Sequence, residues 1–118
     1  MSPDPKIMRY AVRADGSAGP GEVFTHGRGI GDGMKTDRAG NLWSTEPVPG
    51  NVRITSPAGK LLGVIHLPTF GDAEPRKSAC ASSLAFGGDD AKTLYISACE
   101  KIYSIPLKSP GILQGPAH

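Results

Sequence analysis

An acid flanked by two glycines is a place where a ligand or ion can come close to a carboxylate. Gly31-Asp32-Gly33 is such a place, at the head of a short apolar stretch. On spacing alone, an ordinary turn aspartate bonded to its own backbone is the simpler account of Asp32. The glycine-rich run 27–35 invites a phosphate-loop reading. It has neither the G-x-G-x-x-G spacing nor a glycine directly before Lys35, so that chemistry is set aside. His26, His66 and His118 share no short spacing and read as surface or strand-end residues rather than metal ligands. Cys80 and Cys99 fit neither a C-x-x-C redox pair nor a paired-cysteine zinc motif, and are expected as buried, reduced thiols. Asp37, Asp89 and Asp90 fall in turn-forming clusters, which account for them.

The elements that would position these residues are short. Apolar stretches at 7–12, 22–25, 33–36, 41–45, 52–55, 61–67, 83–86, 93–98 and 101–107 predict nine strands. Between them lie Asp15-Gly16 and the clusters 37–41, 56–60 and 87–90, each supplying a glycine or a turn-forming acid. The stretch 89–105 contains no Gly or Pro, and Tyr95, Ala98, Ile102 and Ile105 would also line a helix face. Alternation of Leu94, Ile96 and Ala98, then Tyr103, Ile105 and Leu107, with β-branched and aromatic content, favours two strands. Leu42-Trp43 and Leu94-Tyr95 repeat at an offset of 52 residues, each preceded by strand and acidic turn. A period near 50 with about four strands per unit is the mark of radially repeated sheets, because one small twisted sheet cannot bury both faces alone. Trp43 and Tyr95, at equivalent positions, are expected to pack between such units rather than against a ligand. About two units fit in this length, so the ring needs more chain or more copies to close.

Composition agrees with this picture. The chain has 118 residues, and its 16 Gly and 11 Pro are about twice the share of an average protein, which disfavours long helices. Hydrophobic residues at 38% leave enough for a modest core and exclude wholesale disorder. A net charge of +2, with its cations scattered, favours neither nucleic acid nor an anionic membrane as partner. No apolar run approaches a membrane span and the first residues lack a signal-peptide core, so a cytoplasmic location is expected.

The segment Gly31-Asp32-Gly33-Met34-Lys35-Thr36-Asp37-Arg38-Ala39-Gly40-Asn41-Leu42-Trp43 resembles the signature of the senescence-marker-protein, gluconolactonase and luciferin-regenerating-enzyme family. Ser56-Pro57-Ala58-Gly59-Lys60 with the strand after it, and Leu84-Ala85-Phe86-Gly87-Gly88-Asp89-Asp90 with Thr93-Leu94-Tyr95-Ile96, continue the similarity in order. The resemblance implies an all-β fold, a partial β-propeller of about two blades from a six-bladed ring. In it, 1–108 forms the propeller region: 7–26 are outer strands of a preceding blade, 27–70 a complete blade and 76–108 the C-terminal blade. Residues 109–118 read as a flexible tail.

The resemblance also implies hydrolysis of a sugar lactone with a divalent cation, calcium or zinc. Asp32 stands at the family's metal-ligand aspartate, which is also its general base. The family's other ligands, a glutamate and an asparagine, have no counterpart in this sequence, and the pair often Thr-Asn is here Ser82-Ser83. The chain alone is therefore expected to be inactive until its site is completed, by more chain or by a homo-oligomer that brings copies of Asp32 together. The rival expectation is a noncatalytic interaction module whose open strand edges recruit a partner strand.

Overall fold

A computed structural model of the chain describes residues 5–27, 31–47, 50–68, 80–99 and 101–113. Alternating side chains separated by turn chemistry give nine strands: β1 (Lys6–Val12), β2 (Ala18–His26), β3 (Met34–Thr36), β4 (Leu42–Glu46), β5 (Asn51–Thr55), β6 (Leu61–His66), β7 (Ala81–Gly87), β8 (Thr93–Ala98) and β9 (Lys101–Pro106). The all-β expectation holds, and the described residues contain no helix, so none long and apolar enough to cross a membrane. The stretch 89–105, where alternation favours two strands over a helix, holds two strands, β8 and β9.

The strands form three antiparallel sheets, ordered β1-β2, β3-β4-β5-β6 and β7-β8-β9. β2 begins four residues earlier than the apolar pattern suggests, because the preceding turn closes the hairpin. Arg13 and Ser17 are joined through their main chains at 2.8 Å, and Asp15 Oδ1 accepts from the Ser17 amide at 2.9 Å. In the 37–41 turn Gly40 takes φ +87°, a conformation that costs a residue with a Cβ.

The core lies between the second and third sheets. Trp43, Val52 and Leu67 from one side meet Ala81, Leu84, Phe86, Leu94, Ile96 and Ala98 from the other. Trp43 packs edge-on against Phe86, with ring centroids 5.4 Å apart and planes at 85°. Tyr95 does not share this environment. It lies on the opposite face of β8 from Leu94 and Ile96, 43% exposed beside Ser83, Ala85 and Ile102, a face that no described sheet covers. β1 and β2 contribute nothing to the buried core; every residue in them is exposed or half-buried. Their contact with the second sheet is an apolar groove that includes Met8, Tyr10, Phe24, Met34, Leu42 and Pro57.

The cysteines correct the sequence reading. Cys80 and Cys99 are joined as a disulfide, with Cα atoms 5.1 Å apart and a sequence separation of 19, and the described residues include no free thiol. The antiparallel pairing of β7 with β8 sets Ala81 opposite Ala98, which brings the residues just outside that pair together. Cys99 is exposed and Cys80 half-buried, so neither is the enclosed thiol that composition suggested.

Beyond β9, within the segment read as a tail, the chain turns back onto the second sheet. The Arg38 amide donates to the Pro110 carbonyl at 3.2 Å, the Gly111 amide donates to the Ala91 carbonyl at 2.8 Å, and Asp37 and Gly111 form an isolated bridge. Gly111 lies so close to the Phe86 ring that a Cβ there would overlap it.

Candidate functional site

Asp32 is exposed in the loop that leads into β3, the edge strand of the second sheet. β3 and β4 both touch β7, the first strand of the third sheet, so Asp32 stands where two sheet edges approach. Its amide donates to the Thr45 carbonyl at 3.3 Å. The next residue is held more tightly: the Gly33 amide donates to Thr45 Oγ1 at 2.8 Å, and the Thr45 amide donates to the Gly33 carbonyl at 2.8 Å. The Thr45 hydroxyl proton has two carbonyl acceptors within 3.2 Å, those of Gly33 and Ser82. Thr45 thus links β4, the Asp32 loop and β7.

The glycine after Asp32 has a different use from the one sequence suggests. A Cβ on Gly33 would lie 2.9 Å from the Ser82 carbonyl oxygen and 3.1 Å from Ser83 Cα. Its lack of a side chain serves the close approach of β7, and the space around Gly31 is ordinary, with Thr45 O at 3.5 Å. Ser82 sits at a register shift between β7 and β8, with its hydroxyl 3.0 Å from Ser97 Oγ. Bulges of this kind re-aim a residue locally.

At the same end of the second sheet, β4 finishes, β5 begins and β6 finishes, setting Glu46 opposite Asn51 and Asn51 opposite His66. Glu46 is buried, and Arg53 Nε lies 3.8 Å from its Oε2. The Asn51 side-chain oxygen and His66 Nδ1 are hydrogen-bonded at 2.9 Å. His66 is thus a strand-end residue bonded within its own sheet. His26 closes β2, and His118 lies outside the described residues. Among the described residues no group of three or more His, Cys, Asp or Glu side chains could hold a metal ion.

The turn aspartates divide. Asp90 Oδ1 accepts from the Lys92 amide at 3.0 Å, an ordinary turn contact. Asp37 is buried at 3% exposure and also accepts from the Trp43 indole at 3.0 Å, which turn chemistry alone does not foresee. Sequence reasoning singled out Asp32 through the family resemblance and named Ser82 only as a departure from it; it did not point to Thr45. A threonine in a strand signals only β propensity, and a bulge serine carries no spacing signal.

Comparison with known proteins matches this arrangement to one family. The chain is 35% identical over 101 residues to a 6-deoxy-6-sulfogluconolactonase from Pseudomonas putida, covering 82% of this chain and 32% of that protein. It is 32% identical over 91 residues to a gluconolactonase from Zymomonas mobilis, covering 76% of this chain and 22% of that one. It superposes on an X-ray structure described as a candidate gluconolactonase with a TM-score of 0.74 and 26% identity, over 93% of this chain and 34% of the other. The chain therefore spans about a third of the length of the first relative and of the solved structure, and less of the second. The SMP-30/Gluconolactonase/LRE-like region matches residues 2–100, and with the two gluconolactonase relatives this shows that the chain belongs to that family.

Proposed function

We propose that this chain supplies about two blades of a six-bladed lactone-hydrolase propeller, with Asp32 as its general base. In this reading 7–26 are outer strands of a preceding blade, 27–70 a complete blade and 76–108 the C-terminal blade, of which 28–30, 48–49, 69–70, 76–79 and 100 lie outside the described residues. The observation that carries the reading is the position of Asp32 at the junction of β3 and β7, where adjoining sheet edges converge. The carboxylate accepts a proton from water as the water oxygen attacks the lactone carbonyl carbon. The ring C–O bond then breaks, and the departing oxygen is protonated, leaving a hydroxy acid. The names of the two relatives support a sugar lactone as substrate class.

A divalent cation such as calcium needs six to eight oxygen ligands. The described residues do not assemble such a set, since Asp32 stands in no acidic or histidine cluster. Any calcium or zinc would draw its remaining ligands from outside these residues, and no step is assigned to it. For the same reason the chain by itself is expected to be inactive. The test is hydrolysis of glucono-1,5-lactone by the chain with its site completed, by more chain or by a homo-oligomer, and by Asp32→Asn in the same assembly. The variant should lose about 100-fold or more of the enzyme-dependent rate, with an unchanged circular dichroism spectrum. Equal rates would remove Asp32 as the base.

A second reading, a noncatalytic interaction module, is favoured by the uncovered face that carries Tyr95 and Ile102, the latter 76% exposed. Homo-oligomerisation through that face would be one form of this module, distinct from a homo-oligomer that brings copies of Asp32 together, and sedimentation equilibrium showing monomer at all concentrations would remove both. Location is bound to the cysteines: a reducing cytoplasm keeps such a pair as thiols, whereas an oxidising compartment keeps it joined. Non-reducing mass spectrometry of the natively expressed protein distinguishes the two.

A further inference from the structure

We infer that Thr45 is a positioning residue for Asp32, holding both peptide groups that flank its Cα. The inference rests on the reading of Asp32 as the reacting carboxylate. One flanking group is the Asp32 amide, which donates to the Thr45 carbonyl at 3.3 Å; the other is the Gly33 amide, which donates to the Thr45 hydroxyl at 2.8 Å. Orienting the peptide planes on both sides of a Cα sets its φ and ψ, and these set the direction of the Cα–Cβ bond. A single residue therefore aims the Asp32 side chain, once through its main chain and once through its hydroxyl.

The hydroxyl is necessary to this arrangement. Thr45 is fully buried, on the face of β4 that it shares with Trp43 and turns toward β7. A hydroxyl in such a place is unfavourable unless it is bonded, and a valine would fill the same volume without that burden. The Thr45 hydroxyl accepts one bond and has carbonyls from two sheets within reach of its proton. The Ser82 carbonyl is one of them, so the aim of Asp32 is referenced to β7 as well as to its own sheet. A general base must be held within about 0.5 Å of its productive position, in hydrogen-bond reach of the proton it takes, and a support of this kind keeps it there.

The experiment compares the full chain with Thr45→Val, which keeps shape and loses the hydroxyl, and Thr45→Ser, which keeps the hydroxyl. In Thr45→Val the Gly33 amide should exchange with solvent about tenfold faster, as expected for one lost hydrogen bond. The Asp32 backbone coupling constant should move toward its random-coil value, while exchange at Leu94 and Ile96 stays as in the parent. Thr45→Ser should restore both signals. In lactone hydrolysis by the assembly with its site completed, kcat should fall about tenfold in Thr45→Val at constant KM and recover in Thr45→Ser. Unchanged Gly33 exchange and Asp32 coupling in Thr45→Val would overturn the inference, and so would faster exchange spread evenly through β8. If Asp32→Asn leaves hydrolysis intact while Thr45→Val still moves the Gly33 and Asp32 signals, the placement stands and the assignment of Asp32 as base falls.

Discussion

The Asp37 carboxylate accepts hydrogen bonds from the Asn41 amide at 2.9 Å, the Asn41 side-chain amide at 3.0 Å and the Trp43 indole at 3.0 Å. Burial pushes its pKa up, but the bonds from Trp43 and Asn41 outweigh it and hold the carboxyl below its ordinary value. Asp37→Ala leaves the buried indole N–H without its acceptor and should cost about 2–4 kcal/mol in denaturant unfolding, read by Trp43 fluorescence. Because the folded pKa is the lower one, the stabilisation is complete above the ordinary value of 3.8 and is lost as pH falls through the folded value. Acid titration of stability should therefore be shallower in Asp37→Ala than in the parent. Sequence reveals Asp37 as a turn former because Gly40 and Asn41 follow it. It does not reveal the indole, since contact between positions 37 and 43 depends on the β3–β4 register, which sets Thr36 opposite Leu42 and Lys35 opposite Trp43. Asp32 was singled out by the family resemblance, its two glycines alone fitting an ordinary turn, whereas Thr45 meets partners 12 and 37 residues away and leaves no local trace.

Strands were the most legible elements, because alternation and turn residues are local and each of the nine rests on both. What depends on which strands meet was not legible. The offset of 52 residues sets Trp43 and Tyr95 at equivalent strand positions, yet their surroundings differ: Trp43 packs against Phe86, while the face that carries Tyr95 has no described sheet against it. The disulfide was hidden for the same reason, since a sequence separation of 19 says nothing of the strand register that brings the cysteines together. A bridge closing a loop of that length restricts the unfolded chain and is worth about 3 kcal/mol. Reduction with a dithiol should lower the melting temperature accordingly, and thiol titration should find two reactive groups after reduction and none before. Two thiols before reduction would show that the pair is not joined in the purified protein.

The assembled chain is uneven: one well-filled core between the second and third sheets, a hairpin with no buried residue, and one sheet face left open. Ile102, 76% exposed on that face, is a sensitive probe of what covers it. Ile102→Ser should leave unfolding free energy within about 0.5 kcal/mol, as for other surface changes. It should reduce any concentration-dependent association seen by sedimentation, and unaltered association would place the contact elsewhere. The core itself is gripped at two opposite ends. At one, the Thr45 hydroxyl reaches the Ser82 carbonyl; at the other, the Arg38 amide and Asp37 meet Pro110 and Gly111 after the last strand. The two sheets are thus denied the scissor motion that a single junction would permit. Severing the backbone just before Pro110 would release one jaw, leaving Phe86 bare where Gly111 had covered it and the sheets free to splay about the Thr45 end.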